Sequence, residues 1–262
     1  MAGELPKRRL ATPNDLPTKM KSNGMPMRIL AFDTSTPTCS VAVQADGRIA
    51  DVSFASSRTH SHHLMQMVDQ ALGLAGIRVS ELDAFAVTRG PGTFTGLRIG
   101  ISAAKAMALA ARKPLLGISG LEALAAQAAE THRLICPMVD ARRSEVYCAC
   151  YRAEATGLRR VSEERVCPPE KVLESIEEPC LFVGNGAELY RHLVLEMRGK
   201  DGTVAPPVQN NIHASTLARM AAERFREGQG TQDASLVPQY LRKSDAELKL
   251  GKARTPSRVS IG

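Results

Sequence analysis

Residues 88–113 join a glycine-rich turn to a helix of unusually small side chains, TRGPGTFTGLRIGISAAKAMALAARK. Glycine has no Cβ atom, so Gly90 and Gly92 allow the backbone to turn sharply after the preceding apolar strand. Three small residues recur at four-residue spacing in the helix, and they share one face: Gly100, Ala104 and Ala108. Such a face permits close packing. The pattern predicts an α/β unit whose helix packs either within its own domain or on a helix of another chain.

A glycine-rich turn between a strand and a helix is also a common place for phosphate to bind. Free N–H groups and the positive end of the helix dipole converge there. This turn lacks the lysine of G-x-x-x-x-G-K-[ST], and the chain contains no G-x-G-x-x-G. Lys105 lies too far along the helix to replace that lysine. The turn by itself therefore gives only weak support to phosphate binding.

The order of apolar segments predicts two similar halves. The first half reads βββαβαβα, with helices from about His60 to Leu74 and over residues 96–112. The second half repeats this order on a reduced scale, beginning with a strand that ends at Asp140. We therefore expect lobes at residues 27–132 and 133–241. The polar, basic segments 1–26 and 242–262 are predicted to be disordered.

Two lobes of this kind resemble the actin/Hsp70/sugar-kinase superfold, which is ribonuclease H-like. That resemblance implies a nucleotide between the lobes, held by the turns that follow the two first strands, where Asp33 and Asp140 stand here. The candidate phosphate-loop positions are Asp33, Thr34, Ser35, Gly90, Gly92, Asp140, Arg142, Arg143, Gly184 and Gly186. The alternative is a structural turn, in which Asp33 accepts hydrogen bonds from its neighbours. Arg142 and Arg143 are either solvated turn residues or guanidinium groups that meet phosphate or carboxylate.

Charge and composition limit the classes of function. The net charge of +7 resides in the tails, because residues 1–28 and 242–262 each carry six Lys or Arg and two Asp or Glu. The body is therefore no basic nucleic-acid platform, and RNA binding through the tails would be salt-sensitive and nonspecific. No apolar run approaches the roughly 20 residues of a membrane span. Six scattered cysteines without a C-x-x-C are typical of a reducing cytoplasm.

Metal and hydrolase chemistry find little support in the sequence. The first helix offers His60, His62 and His63, but no histidine pair at i, i+4 and no evident third ligand. The segment GISG at residues 117–120 does not fit the nucleophile motif G-x-S-x-G. We therefore expect neither a metal site nor peptidase activity.

Five segments occur in a characteristic order: ILAFDTSTPTCSVAV, GPGTFTGLRIGI, DARRSEVYCACY, VGNGA and PQYLR. In this order they closely resemble the TsaB (YeaZ) family over about residues 27–242, and GPGTFTGLRIG is the most specific of them. The family is related to TsaD, a transferase once described as a glycoprotease. The resemblance implies a cytoplasmic, non-catalytic subunit in the synthesis of threonylcarbamoyladenosine at position 37 of tRNAs that read ANN codons.

The resemblance also implies partners and an interface. TsaD transfers the threonylcarbamoyl group and pairs with the TsaB-like chain, and the ATPase TsaE completes the assembly. ATP or ADP and metal are expected in those partners, with no cofactor here, and tRNA is contacted indirectly. A homodimer is the alternative when TsaD is absent. The implied interface uses the helices at 61–74 and 96–112, through Leu64, Met67, Val68, Ala71, Leu97, Gly100, Ile101, Ala104 and Ala108. The competing hypothesis is an independent nucleotide-binding enzyme with Asp33 and Asp140 in the cleft between the lobes.

Overall fold

The computed structural model describes residues 27–55, 63–155, 157–229 and 235–242. The segments predicted to be disordered, 1–26 and 242–262, lie outside these ranges except for Arg242, and the predicted start of the first helix at His60 also lies outside them. None of the described helices is long and apolar enough to span a membrane.

A five-stranded sheet forms the first half of the fold. Its strands are β1 (Ile29–Asp33), β2 (Thr38–Ala45), β3 (Arg48–Ala55), β4 (Ala84–Gly90) and β5 (Leu115–Ser119). The spatial order is β3-β2-β1-β4-β5, with β1, β2 and β3 antiparallel and β4 and β5 parallel to β1. Asp46 and Gly47 have positive φ angles of 51° and 76° between β2 and β3. This combination suits the tight hairpin turn that an Asp-Gly pair predicts.

Helices α1 (Leu64–Ala75) and α2 (Phe94–Ala111) cover one face of this sheet. Side chains alternate along a strand, so Leu30 and Phe32 meet these helices while Ile29 and Ala31 point to the other face. The helix α1 ends at Gly76, whose φ of 69° is the left-handed conformation typical of a glycine after a helix.

The second half repeats the same strand order. Its main strands are β6 (Leu134–Asp140), β7 (Val146–Cys148), β10 (Arg165–Cys167), β11 (Cys180–Val183) and β12 (Gly202–Val204), arranged as β10-β7-β6-β11-β12. Two predicted strands, at 145–153 and 158–166, are each interrupted, and their remaining parts form β8 (Tyr151–Glu154) and β9 (Gly157–Arg160). The interruption falls where the amide of Cys150 donates to Ser162 Oγ at 2.8 Å instead of to a neighbouring strand.

A central layer of two helices joins the halves. Helix α3 (Gly120–Gln127) follows the first sheet but packs on β6, while α7 (Ala214–Arg226) follows the second sheet and packs on β1 and β2. Their apolar side chains share one core with both sheets, including Leu121, Ile135 and Leu217. The outer face of the second sheet is covered by α4 (Pro169–Glu174), α5 (Asn185–Leu189) and α6 (Arg191–Arg198).

The repeated strand order confirms the predicted α/β, actin-like fold class. The lobe boundary between residues 132 and 133 stays a prediction, and the position of α7 shows how tightly the two halves are combined. Its 13 residues follow the second sheet in the chain, yet they cover the inner face of the first sheet.

Candidate functional site

The turn after β1 is held together by the carboxylate of Asp33. Its Oδ1 accepts hydrogen bonds from the amide of Ser35 at 3.1 Å and from the hydroxyl of Ser35 at 2.6 Å. Its Oδ2 accepts from the hydroxyl of Thr36 at 3.4 Å, and Asp33 is fully buried. The structural role that the sequence left open for Asp33 is therefore present in the fold.

The glycines near the start of α2 permit contact with this same turn. Thr34 Oγ1 donates to the carbonyl of Gly96 at 2.8 Å. A Cβ on Gly100 would lie only 2.4 Å from the same Thr34 Oγ1 atom. A Cβ on Gly92 would lie 2.5 Å from the carbonyl oxygen of Ser35. These positions require glycine because backbone and side chains of the first turn occupy the space.

The turn after β6 is closed in a similar way. Asp140 Oδ1 accepts from the amide of Arg142 at 2.7 Å, and the amide of Asp140 donates to Asn185 Oδ1 at 3.2 Å. Three consecutive residues have left-handed φ angles of 57°, 55° and 55°: Arg142, Arg143 and Ser144. Their side chains are exposed, so the two guanidinium groups lie at the surface of this turn.

The glycine loop after β11 packs against β6. A Cβ on Gly184 would lie 2.5 Å from the carbonyl oxygen of Met138, and one on Gly186 would lie 2.8 Å from the same atom. The amide of Gly184 donates to Asn210 Oδ1 at 2.8 Å in a buried position. This loop therefore connects the end of β11 to β6 and to the side chain of Asn210.

A nucleotide phosphate needs free donors at these turns, and several of them are already engaged. The amide of Ser35 is bonded to Asp33, that of Thr93 donates to the carbonyl of Ser35 at 2.8 Å, and that of Gly96 donates to Thr93 Oγ1 at 3.2 Å. The amide of Gly184 is bonded as well. Each of these four donors therefore already has a partner within the chain, and phosphate binding at these turns stays a prediction.

The nine residues of the predicted helical interface all lie inside this chain. Each is buried, and Ala71 and Ala104 are fully so. Gly100 faces Thr34, and seven of the others share one apolar core with the strands of the first sheet. The small-residue face of α2 therefore packs within its own domain, which is the first of the two alternatives that the pattern allowed.

A second row of small residues runs along the outer face of α2, and sequence reasoning missed it. Ser102, Ala106 and Ala110 recur at four-residue spacing and are exposed. Large apolar side chains are exposed nearby in sequence and on the neighbouring helix: Leu109 is 76% exposed, Leu74 68% and Met65 49%. The signal was available, because this row has the same period as the buried one and is shifted by two positions.

A groove of about 320 Å³ lies between α1 and the edge strand β3. It is lined by Val52, Ser53, Phe54, His63, Gln66, Met67 and Gln70. The rings of Phe54 and His63 are 5.0 Å apart. Within the described ranges no cluster of three or more His, Cys, Asp and Glu side chains could hold a metal ion, and His60 and His62 lie outside those ranges.

The two sheets have the same strand order, and a layer of two helices packs between them. This arrangement defines a protein of the actin-like α/β class. The family model of TsaD, tRNA N6-adenosine threonylcarbamoyltransferase, matches residues 54–250. The tRNA threonylcarbamoyladenosine biosynthesis protein TsaB of Bacillus subtilis is 33% identical over 85% of this chain and 97% of its own length. The Escherichia coli protein of the same name is 34% identical over 86% and 98%.

A solved structure agrees with these sequence relatives. YeaZ from Pseudomonas aeruginosa superposes with a TM-score of 0.72 at 32% identity, covering 82% of this chain and all of the other. The chain belongs to the TsaB (YeaZ) family, as the five sequence segments indicated.

Proposed function

We propose that this chain is a non-catalytic subunit that pairs with the threonylcarbamoyltransferase TsaD and activates it, in the N6-threonylcarbamoylation of adenosine 37 of tRNAs that read ANN codons. Its relatives are named for the biosynthesis of this modified nucleoside, and its sequence matches the model of the transferase itself. A chain that shares the fold of an enzyme is well suited to pair with it, because related surfaces can meet in a pseudo-symmetric way.

The exposed apolar face of α1 and α2 is the observation that carries this proposal. Met65, Leu74 and Leu109 each expose about half or more of their surface on the helical layer of the first half. The outer small-residue row of α2 lies on the same helix as Leu109, and it leaves room for a partner helix to approach closely. Large apolar side chains exposed on the two helices that cover one sheet suit contact with a protein partner.

The bonded turns support a role without catalysis. The carboxylates of Asp33 and Asp140 accept hydrogen bonds from their own turns, and the amides beside them have partners in the chain. On this proposal nucleotide, metal and transfer chemistry belong to TsaD and TsaE, and tRNA is reached through the transferase in the cytoplasm. Two copies of this chain would use the same apolar face when TsaD is absent.

The proposal is tested first by reconstitution. Threonylcarbamoyl transfer to tRNA is measured with purified TsaD, TsaE and the enzyme that makes the threonylcarbamoyl donor. The reaction is run without this chain, with it, and with this chain alone. Transfer that needs the chain, together with no transfer by the chain alone, is the expected result. Equal transfer in its absence would rule the proposal out.

The face itself is tested by charge substitution. Leu109→Arg and Ala106→Arg should each abolish association with TsaD in light scattering, because an arginine would be desolvated in an apolar contact. Val208→Arg is a matched control for Leu109→Arg, since Val208 is 68% exposed on the second half and Leu109 is 76% exposed on the first. The free energy of unfolding of all three variants should lie within about 0.5 kcal/mol of the wild-type value, as is usual for surface substitutions. Association that survives both α2 substitutions would place the interface elsewhere.

A further inference from the structure

Residues 235–242, called the strap below, cross from one half of the fold to the other. At one end, Leu236 rests on Gly117 of β5, where a Cβ would lie 2.4 Å from the Leu236 Cδ1 atom. The amide of Gln239 then donates to the carbonyl of Arg89 at 2.7 Å. This first part of the strap is thus attached to the five-stranded sheet.

The other end of the strap is attached to the turn after β6. Arg242 Nη1 donates to the carbonyl of Ala141 at 2.8 Å, and its Nη2 pairs with the carboxylate of Glu145. The Arg242 side chain is 17% exposed, so water screens this ion pair only partly. The strap therefore binds the 141–145 turn at two points, the backbone carbonyl of Ala141 and the charged side chain of Glu145.

Between these ends, aromatic packing fixes the strap to the start of α2. The rings of Tyr240 and Phe94 stack with centroids 4.8 Å apart. Arg98 donates from Nε to the Tyr240 hydroxyl at 3.2 Å, and its guanidinium carbon lies 3.8 Å from the Phe94 ring centroid. Phe94 directly follows Thr93, whose amide is bonded to Ser35 in the first turn.

The carboxylate of Glu164 connects the strap with both halves. Its Oε2 accepts from Gln239 Nε2 at 2.8 Å. Its Oε1 accepts from the hydroxyl of Ser119, at the end of β5, and from the hydroxyl of Tyr151 in β8 at 3.3 Å. One side chain thus binds the first sheet, the second sheet and the strap.

We propose that the strap is a releasable clasp, which holds the start of α2 in the first half to the turn after β6 in the second half. The described strap residues form no helix or strand, so their hydrogen bonds to the rest of the fold have to hold them in place. Gln239 Oε1 is buried without a hydrogen-bond partner among the described residues, which raises the free energy of the seated strap. Its contacts span both halves, so loss of one end releases the other and loosens the start of α2, where the Thr93 amide is bonded to Ser35 of the turn after β1.

The test is residue-resolved hydrogen exchange of the full chain carrying Arg242→Ala. This substitution removes the contacts to the 141–145 turn at one end. Cooperative release predicts hydrogen exchange at least about tenfold faster at the amides of Gln239, Thr93 and Ser35. These amides donate to Arg89, Ser35 and Asp33 respectively, all in the first half and far from the substituted residue in the chain. Amides of β1 that pair with β2 should keep their rates, which separates local release from global unfolding.

Arg152→Ala is the matched control, because it removes two hydrogen bonds to Glu178 within the second half. The Arg152→Ala substitution should leave the hydrogen-exchange rates at the amides of Gln239 and Thr93 unchanged. A second variant acts from the opposite end, since Gly117→Val would displace Leu236. It should accelerate exchange at the amide of Ala141, which donates to the Glu145 carbonyl at 2.9 Å. Acceleration confined to the substituted end in both variants would show that the contacts are independent and would overturn the proposal.

Discussion

The hydroxyl of Thr34 occupies the space above Gly100 that a methyl group would fill, and it binds the carbonyl of Gly96 one turn earlier. This contact joins the turn after β1 to the middle of α2. It explains why the row of small residues in α2 begins with a glycine and continues with alanines, which pack on the sheet instead.

Gly100→Ala is therefore expected to lower the free energy of unfolding by about 1–3 kcal/mol, because the new carbon would lie 2.4 Å from Thr34 Oγ1. Gly73→Ala in α1 is the matched control, since no atom lies within 4 Å of its added Cβ. That change should stabilise the protein by roughly 0.5–1 kcal/mol through helix propensity. Urea unfolding at neutral pH measures both. A neutral or stabilising Gly100→Ala would show that the turn moves away at little cost.

Ala104→Arg should prevent folding, whereas the same substitution two residues later at Ala106 should not. Ala104 is fully buried beside the first sheet, so a guanidinium group there would lack both space and a partner. We expect a loss of more than about 4 kcal/mol, seen as lost cooperative melting in circular dichroism. A stable, monomeric Ala104→Arg variant would contradict the assignment of this face to the core.

The distinction between these two alanines shows what the sequence of α2 could and could not predict. The four-residue spacing of small residues correctly indicated a closely packed helix. The two apolar strands that end at Asp33 and Asp140 correctly indicated that the halves share one topology. Both faces of α2 carry small residues, however, so periodicity alone did not decide which face points inward. The buried set also contains Leu97 and Ile101, and this larger apolar content is the physical reason that it faces the sheet.

Other features depend on contacts between segments far apart in the chain. The amphipathic pattern of α7 predicts a helix, but nothing local indicates that its apolar face packs on β1 and β2, about 170 to 200 residues earlier in the chain. The attachments of the strap are equally distant, since Tyr240 and Arg98 are separated by 142 positions. The candidate interface is similar, because exposed apolar residues are identified only once the buried face is known.

Asp33→Ala should weaken the fold without changing nucleotide binding. The substitution removes the acceptor for the Ser35 amide and hydroxyl and for the Thr36 hydroxyl, all in a buried turn. We expect a loss of about 2–3 kcal/mol in urea unfolding, and a smaller loss for Asp33→Asn, which keeps one acceptor oxygen. Calorimetric titration with ATP and Mg²⁺ should give no binding heat for wild type or variants. Tight binding that disappears in Asp33→Ala would instead support a nucleotide-dependent enzyme.

The protein should also lose stability in alkaline solution through its buried thiols. All six cysteines are free. Burial, with the nearby Asp33 charge, raises the pKa of Cys39 to about 12, and burial, with Cys167 nearby, raises that of Cys148 to about 12. Unfolded thiols ionise at a lower pKa of about 8.5–9, so the unfolded state releases protons first.

The stabilising effect of these thiols is therefore complete below about pH 8.5 and is lost as the pH rises towards 12. Over that interval the free energy of unfolding should fall by up to roughly 1.4 kcal/mol per pH unit for each thiol. Urea unfolding under reducing conditions at pH 8 and pH 10 measures the change. A Cys39→Ala, Cys148→Ala variant should be less stable at pH 8, because two small cavities form, but should show a flatter pH dependence. An equally steep fall in that variant would assign the alkaline transition to other groups, of which the Cys136 and Cys150 thiols are the first to substitute, since the pKa of each is also raised.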